Sequence, residues 1–406
     1  MAAALVVTQL RAQLSSPPHN KTADEDIALG FVYFTDAYAA HANDLLRYLH
    51  TELPFVQRWV GSVGIGILAT GVEYMDEPAM ALMLCDIPTE QVQVFSGVSP
   101  LAPSGDAALG WPVQSAWVHC DGAVPDLSAL VEELAQRTVH NVVFGGISSS
   151  RNEAVQIAYE DSRHLGLDRP KGGVLLGGLS GLAFGPEARV RSRVTQGCRP
   201  VGPARSVTAM DGRVVLQLND RPAMDALFED LNVSWADRPH AIARLQQTLV
   251  GLESAAWVGD TELVEAERLQ TVMAKRAGLF GAQTRVRHLV GLDVDRKGVV
   301  VGDHVWVGDD LQFCERHVQA ARADLMRVCA ELREEVEGQE DATGAIRGAV
   351  YVSCLGRGGA HFGGPNAEMK IIQHALGDVP VVGFFAGGEI AHQHILSYSG
   401  VLMVFA

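Results

Sequence analysis

The chain has 406 residues, 48% hydrophobic and 20% charged, which is typical of a globular protein long enough for two or three domains. Its net charge of -16 argues against nucleic acid as a partner, since phosphate binding requires clustered lysine and arginine. No apolar run approaches the roughly 18 residues that span a bilayer, and the start lacks the basic region of a secretory signal. We therefore expect a cytoplasmic protein that does not bind membranes.

The first half of the chain alternates short apolar runs with glycine turns, a pattern that predicts buried strands. Predicted strands cover 28–35, 61–71 and 79–85, with an amphipathic helix over 42–53 between the first two. A further helix precedes two strand-to-glycine units at 141–151 and 172–184, and residues 204–220 predict a hairpin turning on Asp211 and Gly212.

A helical stretch after residue 220 marks the predicted domain boundary. We expect an N-terminal extension over 1–27 and two modules over 28–219 and 220–406. The second module contains predicted short strands over 284–308, a long amphipathic helix over 311–336 and a strand over 345–354. A helix over 366–376 follows, with Asn366 as its N-cap and Gly377 at its end.

The last sixty residues repeat the pattern of the first sixty. Gly30, Val32 and Tyr33 match Gly348, Val350 and Tyr351, and in both places the order is strand, helix, strand, glycine turn, strand. The strands are apolar almost throughout, as expected for sheets that are buried on both faces. The sequence thus predicts an α/β fold with mixed sheets, in two similarly built sheet-and-helix modules that indicate an internal duplication.

Four segments, found in the same order, resemble the FIST family of sensory domains: 194–212, 308–325, 354–358 (CLGRG) and 380–390 (PVVGFFAGGEI). The resemblance runs from about residue 28 to the end. It implies an N-terminal and a C-terminal FIST module that bind a small ligand, with amino acids suggested as ligands, and a signalling protein as partner. Some stand-alone bacterial members bind haem and sense nitric oxide. Eukaryotic relatives act as adaptors behind an F-box, a segment that this sequence does not show.

Two glycine-rich strand ends carry the charged residues expected to bind the ligand. They supply Cys354, Gly356, Arg357, Gly358, Gly387, Gly388 and Glu389. If the two strands run parallel, the helix between them brings both turns to one edge of the sheet, where crevices form. Glu389 and Arg357 then present opposite charges to an amino acid-like ligand, or pair with each other.

Histidine and cysteine side chains raise two further hypotheses. His361, His392 and His394 are candidate haem ligands, and His392 and His394 with Glu389 have the chemistry of a metal site. Cys354 is a candidate nucleophile or haem thiolate, although cysteines at strand ends are more often inert. An enzyme that uses Cys354 or a His392/His394 metal site, and a pure interaction adaptor, are the alternatives to a ligand sensor.

Overall fold

The computed structural model describes residues 2–15, 27, 29–103, 110–161, 170–254, 280, 284–338 and 344–406. Within these residues the helices are α1 (Ala2–Leu14), α2 (Ala42–Glu52), α3 (Leu127–Ala135), α4 (Ala223–Leu231), α5 (Arg238–Gln247), α6 (Val318–Glu337) and α7 (Ala367–Leu376). None of these helices combines the length and the hydropathy that crossing a lipid bilayer would require.

The strands of the first half are β1 (Leu29–Thr35), β2 (Arg58–Gly64), β3 (Gly66–Ala69), β4 (Val72–Met75), β5 (Met80–Cys85), β6 (Val92–Ser96), β7 (Ser115–Asp121), β8 (Val143–Ser148), β9 (Val155–Glu160), β10 (Lys171–Leu176), β11 (Leu179–Phe184), β12 (Val190–Gln196) and β13 (Cys198–Pro200). Those of the second half are β14 (Arg205–Asp211), β15 (Val214–Leu218), β16 (Arg221–Pro222), β17 (Thr248–Glu253), β18 (Arg285–Asp293), β19 (Gly298–Val301), β20 (Asp310–Arg316), β21 (Gly348–Cys354), β22 (Val381–Ala386), β23 (Glu389–Ala391), β24 (His394–Leu396) and β25 (Ser399–Phe405).

The chain forms two compact units that are interleaved along the sequence. The first contains residues 1–194, 325–395 and 399–406, and the second contains residues 195–324 and 396–398. The boundary predicted near residue 220 falls inside the second unit. The compact units therefore do not follow the two sequence modules.

The first unit is built from three copies of one motif: a strand, a helix, a strand, a hairpin and a final strand. Repeat 1 (residues 29–85) runs β1-α2-β2-β3-β4-β5, repeat 2 (115–184) runs β7-α3-β8-β9-β10-β11, and repeat 3 (348–405) runs β21-α7-β22-β23-β24-β25. In each repeat the first strand pairs in parallel with the second and antiparallel with the last. The predicted correspondence between the two ends of the chain is confirmed in element order, and repeat 2 is a third copy that we did not predict.

The three repeats exchange their hairpins in a closed cycle. The sheet orders are β10-β9-β2-β1-β5, β24-β23-β8-β7-β11-β6 and β12-β25-β21-β22-β3-β4. Repeat 1 thus lends its hairpin to the sheet of repeat 3, repeat 2 lends to repeat 1, and repeat 3 lends to repeat 2. Each sheet is completed by a strand from another repeat, so the three sheets depend on one another.

A glycine stands at the same register position in each parallel pair. Gly61 lies opposite Val32, Gly145 opposite Val118, and Gly383 opposite Tyr351. A Cβ atom at these glycines would lie 1.7, 1.9 and 1.7 Å from the carbonyl oxygen of the facing residue. No larger residue fits, which explains why the three central strands carry glycine where strands normally disfavour it.

Two predicted details of the helices are wrong. The stretch 311–336 is not one helix, because β20 covers 310–316 and α6 begins only at Val318. In β20 the side chains of Leu311 and Phe313 are buried in alternation, which is the strand period. Asn366 precedes α7 but makes no side-chain cap, whereas the N–H of Gly377 ends the helix by bonding the Gln373 carbonyl, as expected for a glycine there.

The second unit contains the hairpin of β14 and β15, which turns between Asp211 and Val214 as predicted. Its sheet has the order β13-β20-β14-β15-β19-β18-β17, and β17 also pairs with β20, so the sheet closes on itself. Helix α4 packs on this sheet through Ala226 and Leu227, and the core includes Val250 and Phe313.

Candidate functional site

The two glycine-rich turns leave the same edge of a parallel pair, as predicted. Strands β21 and β22 are parallel, and their last residues, Cys354 and Ala386, are partners in register. The Leu355 N–H donates to the Ala386 carbonyl at 2.9 Å, which holds the two turns side by side where the strands end. The crossover through α7 therefore brings residues 355–358 and 387–389 together.

Arg357 enters the interior from its turn and is fully buried. Its guanidinium lies 3.2 Å from Glu368 and 5.1 Å from the centre of the Phe362 ring. Glu368, in the first turn of α7, also accepts hydrogen bonds from the Tyr351 hydroxyl and from Ser353 Oγ at 2.9 Å. The main ionic partner of Arg357 is thus Glu368, a residue that sequence reasoning did not select.

Glu389 opens β23 and is also fully buried. Its Oε2 accepts from the Ser399 N–H at 3.1 Å and from Ser399 Oγ at 2.7 Å. Its other oxygen, Oε1, has no hydrogen-bond partner among the described residues. Most buried polar atoms are bonded, so this oxygen requires an explanation.

The pKa of the Glu389 carboxyl lies close to neutral pH. Burial raises the pKa of this carboxyl to about 7, against the opposing effects of Ser399, the Arg357 charge and a hydrogen bond with the Cys354 side chain. Glu389, Arg357 and Cys354 therefore share one environment, and the structure brings together the three side chains selected from the two turns.

The glycines of the turns do not all offer their backbone to a ligand. Gly356 and Gly387 are exposed and Gly388 is buried. The Gly387 N–H donates to the Ile147 carbonyl at 2.9 Å, so that donor is already used within the fold. Gly358 is required for packing, because a Cβ there would lie 2.9 Å from the Phe385 ring.

The proposed metal set of Glu389, His392 and His394 does not form, since the described part of the chain holds no group of three or more His, Cys, Asp or Glu side chains placed to bind an ion. His392 lies in a turn with φ of 56°, beyond the end of β23, so the two imidazoles do not share a strand face. Its ring packs edge-on against Phe144 at 5.1 Å, and the His361 ring packs against Phe362 at 5.6 Å.

A haem group does not fit the surroundings that the structure shows for Cys354 and His361. A macrocycle requires a wide apolar cavity beside its axial ligand. The side chains next to Cys354 and His361 are instead a closed set of charged and aromatic groups, with Arg357, Phe362 and Glu389 fully buried. The Cys354 side chain is engaged in a hydrogen bond with the Glu389 carboxyl.

Comparison with known proteins identifies the family. The FIST N domain model matches residues 28–221 and the FIST C domain model matches residues 241–392, so this chain belongs to the FIST family. FIST domains are linked to small-ligand sensing in signalling, and they are sensory modules rather than catalytic ones.

The relatives extend over almost the same length. An uncharacterized protein of Mycobacterium tuberculosis strain H37Rv is 27% identical over 390 residues, which cover 95% of this chain and 91% of the relative. An uncharacterized protein of Mycobacterium bovis is 25% identical over 392 residues, covering 94% and 90%. The similarity therefore extends over both modules.

Proposed function

We propose that this protein is a cytoplasmic small-ligand sensor whose ligand binds at Glu389 and Arg357 in repeat 3, and whose bound state is read by a signalling partner. The observation that carries the proposal is the unpaired Oε1 of Glu389, which is fully buried next to a buried guanidinium. An unsatisfied buried carboxylate costs stability, and such costs concentrate at functional sites.

The chemistry of the pair defines the ligand class. Glu389 Oε1 accepts a hydrogen bond, so it favours a ligand with an ammonium or another N–H donor. Arg357 offers a planar set of donors that matches a carboxylate. A small zwitterionic or carboxylate ligand satisfies both groups, and a donor from the ligand stabilises the charged form of Glu389.

The route to the site passes through the exposed turns. Glu389 and Arg357 have no contact with solvent, whereas Gly356 and Gly387, one and two residues before Arg357 and Glu389, are exposed. Ligand entry therefore requires the turns to separate, and this movement is a change that a partner protein can detect. An adaptor that only holds partners together has no need for a half-satisfied carboxylate inside a repeat.

The test is ligand binding by the purified full-length protein and by two glutamine variants. Zwitterionic amino acids and small monocarboxylic acids are screened by thermal shift, and bound molecules are identified by native mass spectrometry. We expect at least one compound class to stabilise the wild type and Glu160→Gln, but not Glu389→Gln. Glu160 is the matched control because it is also buried, in an ion pair with Arg58 at 2.9 Å.

Two results would overturn the proposal. The first is equal stabilisation of the wild type and Glu389→Gln by every compound that binds. The second is a Soret band in the absorption spectrum of the purified protein that shifts with nitric oxide, which would identify a haem sensor instead.

A further inference from the structure

A carboxylate from a distant repeat holds the start of the helix that carries Glu368. Glu73 lies on β4, in the hairpin that repeat 1 lends to the sheet of repeat 3. Its Oε1 accepts from the backbone N–H groups of Glu368 at 2.9 Å and Met369 at 3.3 Å. Glu73 thus supplies the cap that Asn366 was expected to provide.

The contact is reciprocal and reaches the arginine turn. The Glu73 N–H donates to Asn366 Oδ1 at 2.7 Å, which fixes the residue before α7. The Gly359 N–H also bonds the Glu73 carboxylate, two residues after Arg357. One side chain therefore holds both segments that carry the buried ion pair, the turn with Arg357 and the first turn with Glu368.

At the register position of Glu73, the exchanged hairpin of repeat 2 carries an aliphatic residue. Val174 of β10 occupies the position in repeat 2 that Glu73 occupies in repeat 1, by the strand registers, and it packs against the core beside α2. Ile395 of β24 packs against the core that includes α3. The fold thus tolerates an aliphatic residue at this position, whereas Glu73 places a carboxylate there in the hairpin that meets the candidate site.

The surroundings of Glu73 disfavour its negative charge. Burial and the neighbouring Glu368 charge raise the pKa of Glu73, against the lowering effect of the three backbone donors. A negative charge beside a carboxyl disfavours its ionised form. A stabilising role alone would be filled at lower cost by a short neutral cap on the helix itself.

We propose that Glu73 is a positioning residue of the candidate ligand site, holding the turn of Arg357 and the first turn of α7 with Glu368 in place beside Glu389. The inference rests on the proposed function, because that proposal identifies Arg357 and Glu389 as a ligand site. It is tested without any ligand, so it can fail or hold independently of ligand binding.

The readout is the protonation of Glu389, followed by the infrared C=O stretch of its carboxylic acid form against pH. The Glu389 band is assigned by subtracting the spectrum of Glu389→Gln. The test variants are Glu73→Val, which copies the aliphatic residue of repeat 2, and Glu73→Gln, which keeps an acceptor oxygen. Glu77→Gln, an exposed residue beyond the end of β4, is the matched control.

We expect Glu73→Val to raise the titration midpoint of Glu389 by about one pH unit, because Arg357 moves away and no longer favours the carboxylate. Glu73→Gln removes the charge but keeps the cap, so its midpoint should not rise, and Glu77→Gln should match the wild type. An unchanged or lower midpoint in folded Glu73→Val overturns the proposal and leaves Glu73 as a helix cap only. If Glu73→Val does not fold, Glu73→Ala is measured in the same way with the same criteria.

Discussion

Repeats 2 and 3 place a polar side chain at the same point of the fold but satisfy its hydrogen bonds differently. Gln156 faces Ser62 across β9 and β2, and Glu389 faces Gly146 across β23 and β8, at equivalent register positions. Gln156 accepts from Ser180 Oγ at 2.5 Å and donates to the Gly178 carbonyl at 3.0 Å. Glu389 keeps one oxygen without a partner.

In repeat 1 the corresponding residue is Ile67, which faces Phe384 and is fully buried. The backbone therefore accepts three kinds of side chain at this one position: an aliphatic group, an amide with its hydrogen bonds made, and a carboxylate with one oxygen unbonded. At this register position, among the described residues, the Glu389 carboxylate of repeat 3 keeps an atom without a partner, whereas Gln156 and Ile67 do not. This difference at one equivalent position is the basis for testing repeat 3 against repeat 2.

The largest effect should come from breaking the buried ion pair between Arg357 and Glu368 in repeat 3. Arg357→Met leaves Glu368 buried without its cation, and we expect the free energy of unfolding to fall by about 3–5 kcal/mol. Gln156→Met, the control in repeat 2, leaves only neutral partners unsatisfied and should cost about 1–3 kcal/mol. Urea unfolding followed by circular dichroism measures both, and equal losses would remove the distinction between the two repeats.

A smaller, pH-dependent effect should follow from making repeat 3 resemble repeat 2. The raised pKa means that folded Glu389 holds its proton more tightly than the unfolded chain, whose ordinary value is 4.5. The wild type should therefore lose stability as pH rises from 4.5 to 7, by about 3 kcal/mol in all. Glu389→Gln can still accept from Ser399, so it should match the wild type near pH 4 and exceed its stability by about 3 kcal/mol at pH 8.

The reciprocal change, Gln156→Glu, checks that the effect belongs to the carboxylate. A carboxylate in repeat 2 would face the Gly178 carbonyl, to which the amide now donates. We expect this variant to acquire a loss of stability with rising pH that the wild-type residue does not confer. A flat profile for Gln156→Glu, or a steep one for Glu389→Gln, would contradict the comparison.

Local pattern was enough to predict most strands and the convergence of the two turns. The apolar runs and the crossover helix predict that Cys354 and Ala386 end side by side, because that arrangement depends only on neighbouring elements. The exchange of hairpins between repeats could not be predicted from local pattern, because β3 pairs with β22 more than 300 residues away. Nothing in the sequence of either strand indicates which strand it pairs with.

The partners of Arg357 and of helix α7 were missed for the same reason. Glu368 stands in the first turn of a helix, where exposed acids are common, and only tertiary packing makes it a buried ion-pair partner. One feature of the sequence could have indicated that repeat 2 is a third copy: Gly145 stands at the register position of Gly61 and Gly383. Without the register, it is one glycine among 42.

The smallest expected effect on stability comes from removing the serine hydroxyls that donate to Glu389 and to Gln156. Ser399 Oγ donates to a carboxylate, whereas Ser180 Oγ donates to a neutral amide oxygen. Because hydrogen bonds to charged groups are stronger, Ser399→Ala should cost about 1.5–3 kcal/mol at pH 8 and about 1 kcal/mol at pH 5, where Glu389 is protonated. Ser180→Ala should cost about 1 kcal/mol at both pH values. Losing the Ser399 hydroxyl also raises the pKa of Glu389 further, so the infrared titration should move to higher pH in that variant alone. Identical pH profiles for the two alanine variants would mean that Glu389 carries no charge at pH 8, and that the difference between the repeats lies in shape and not in charge.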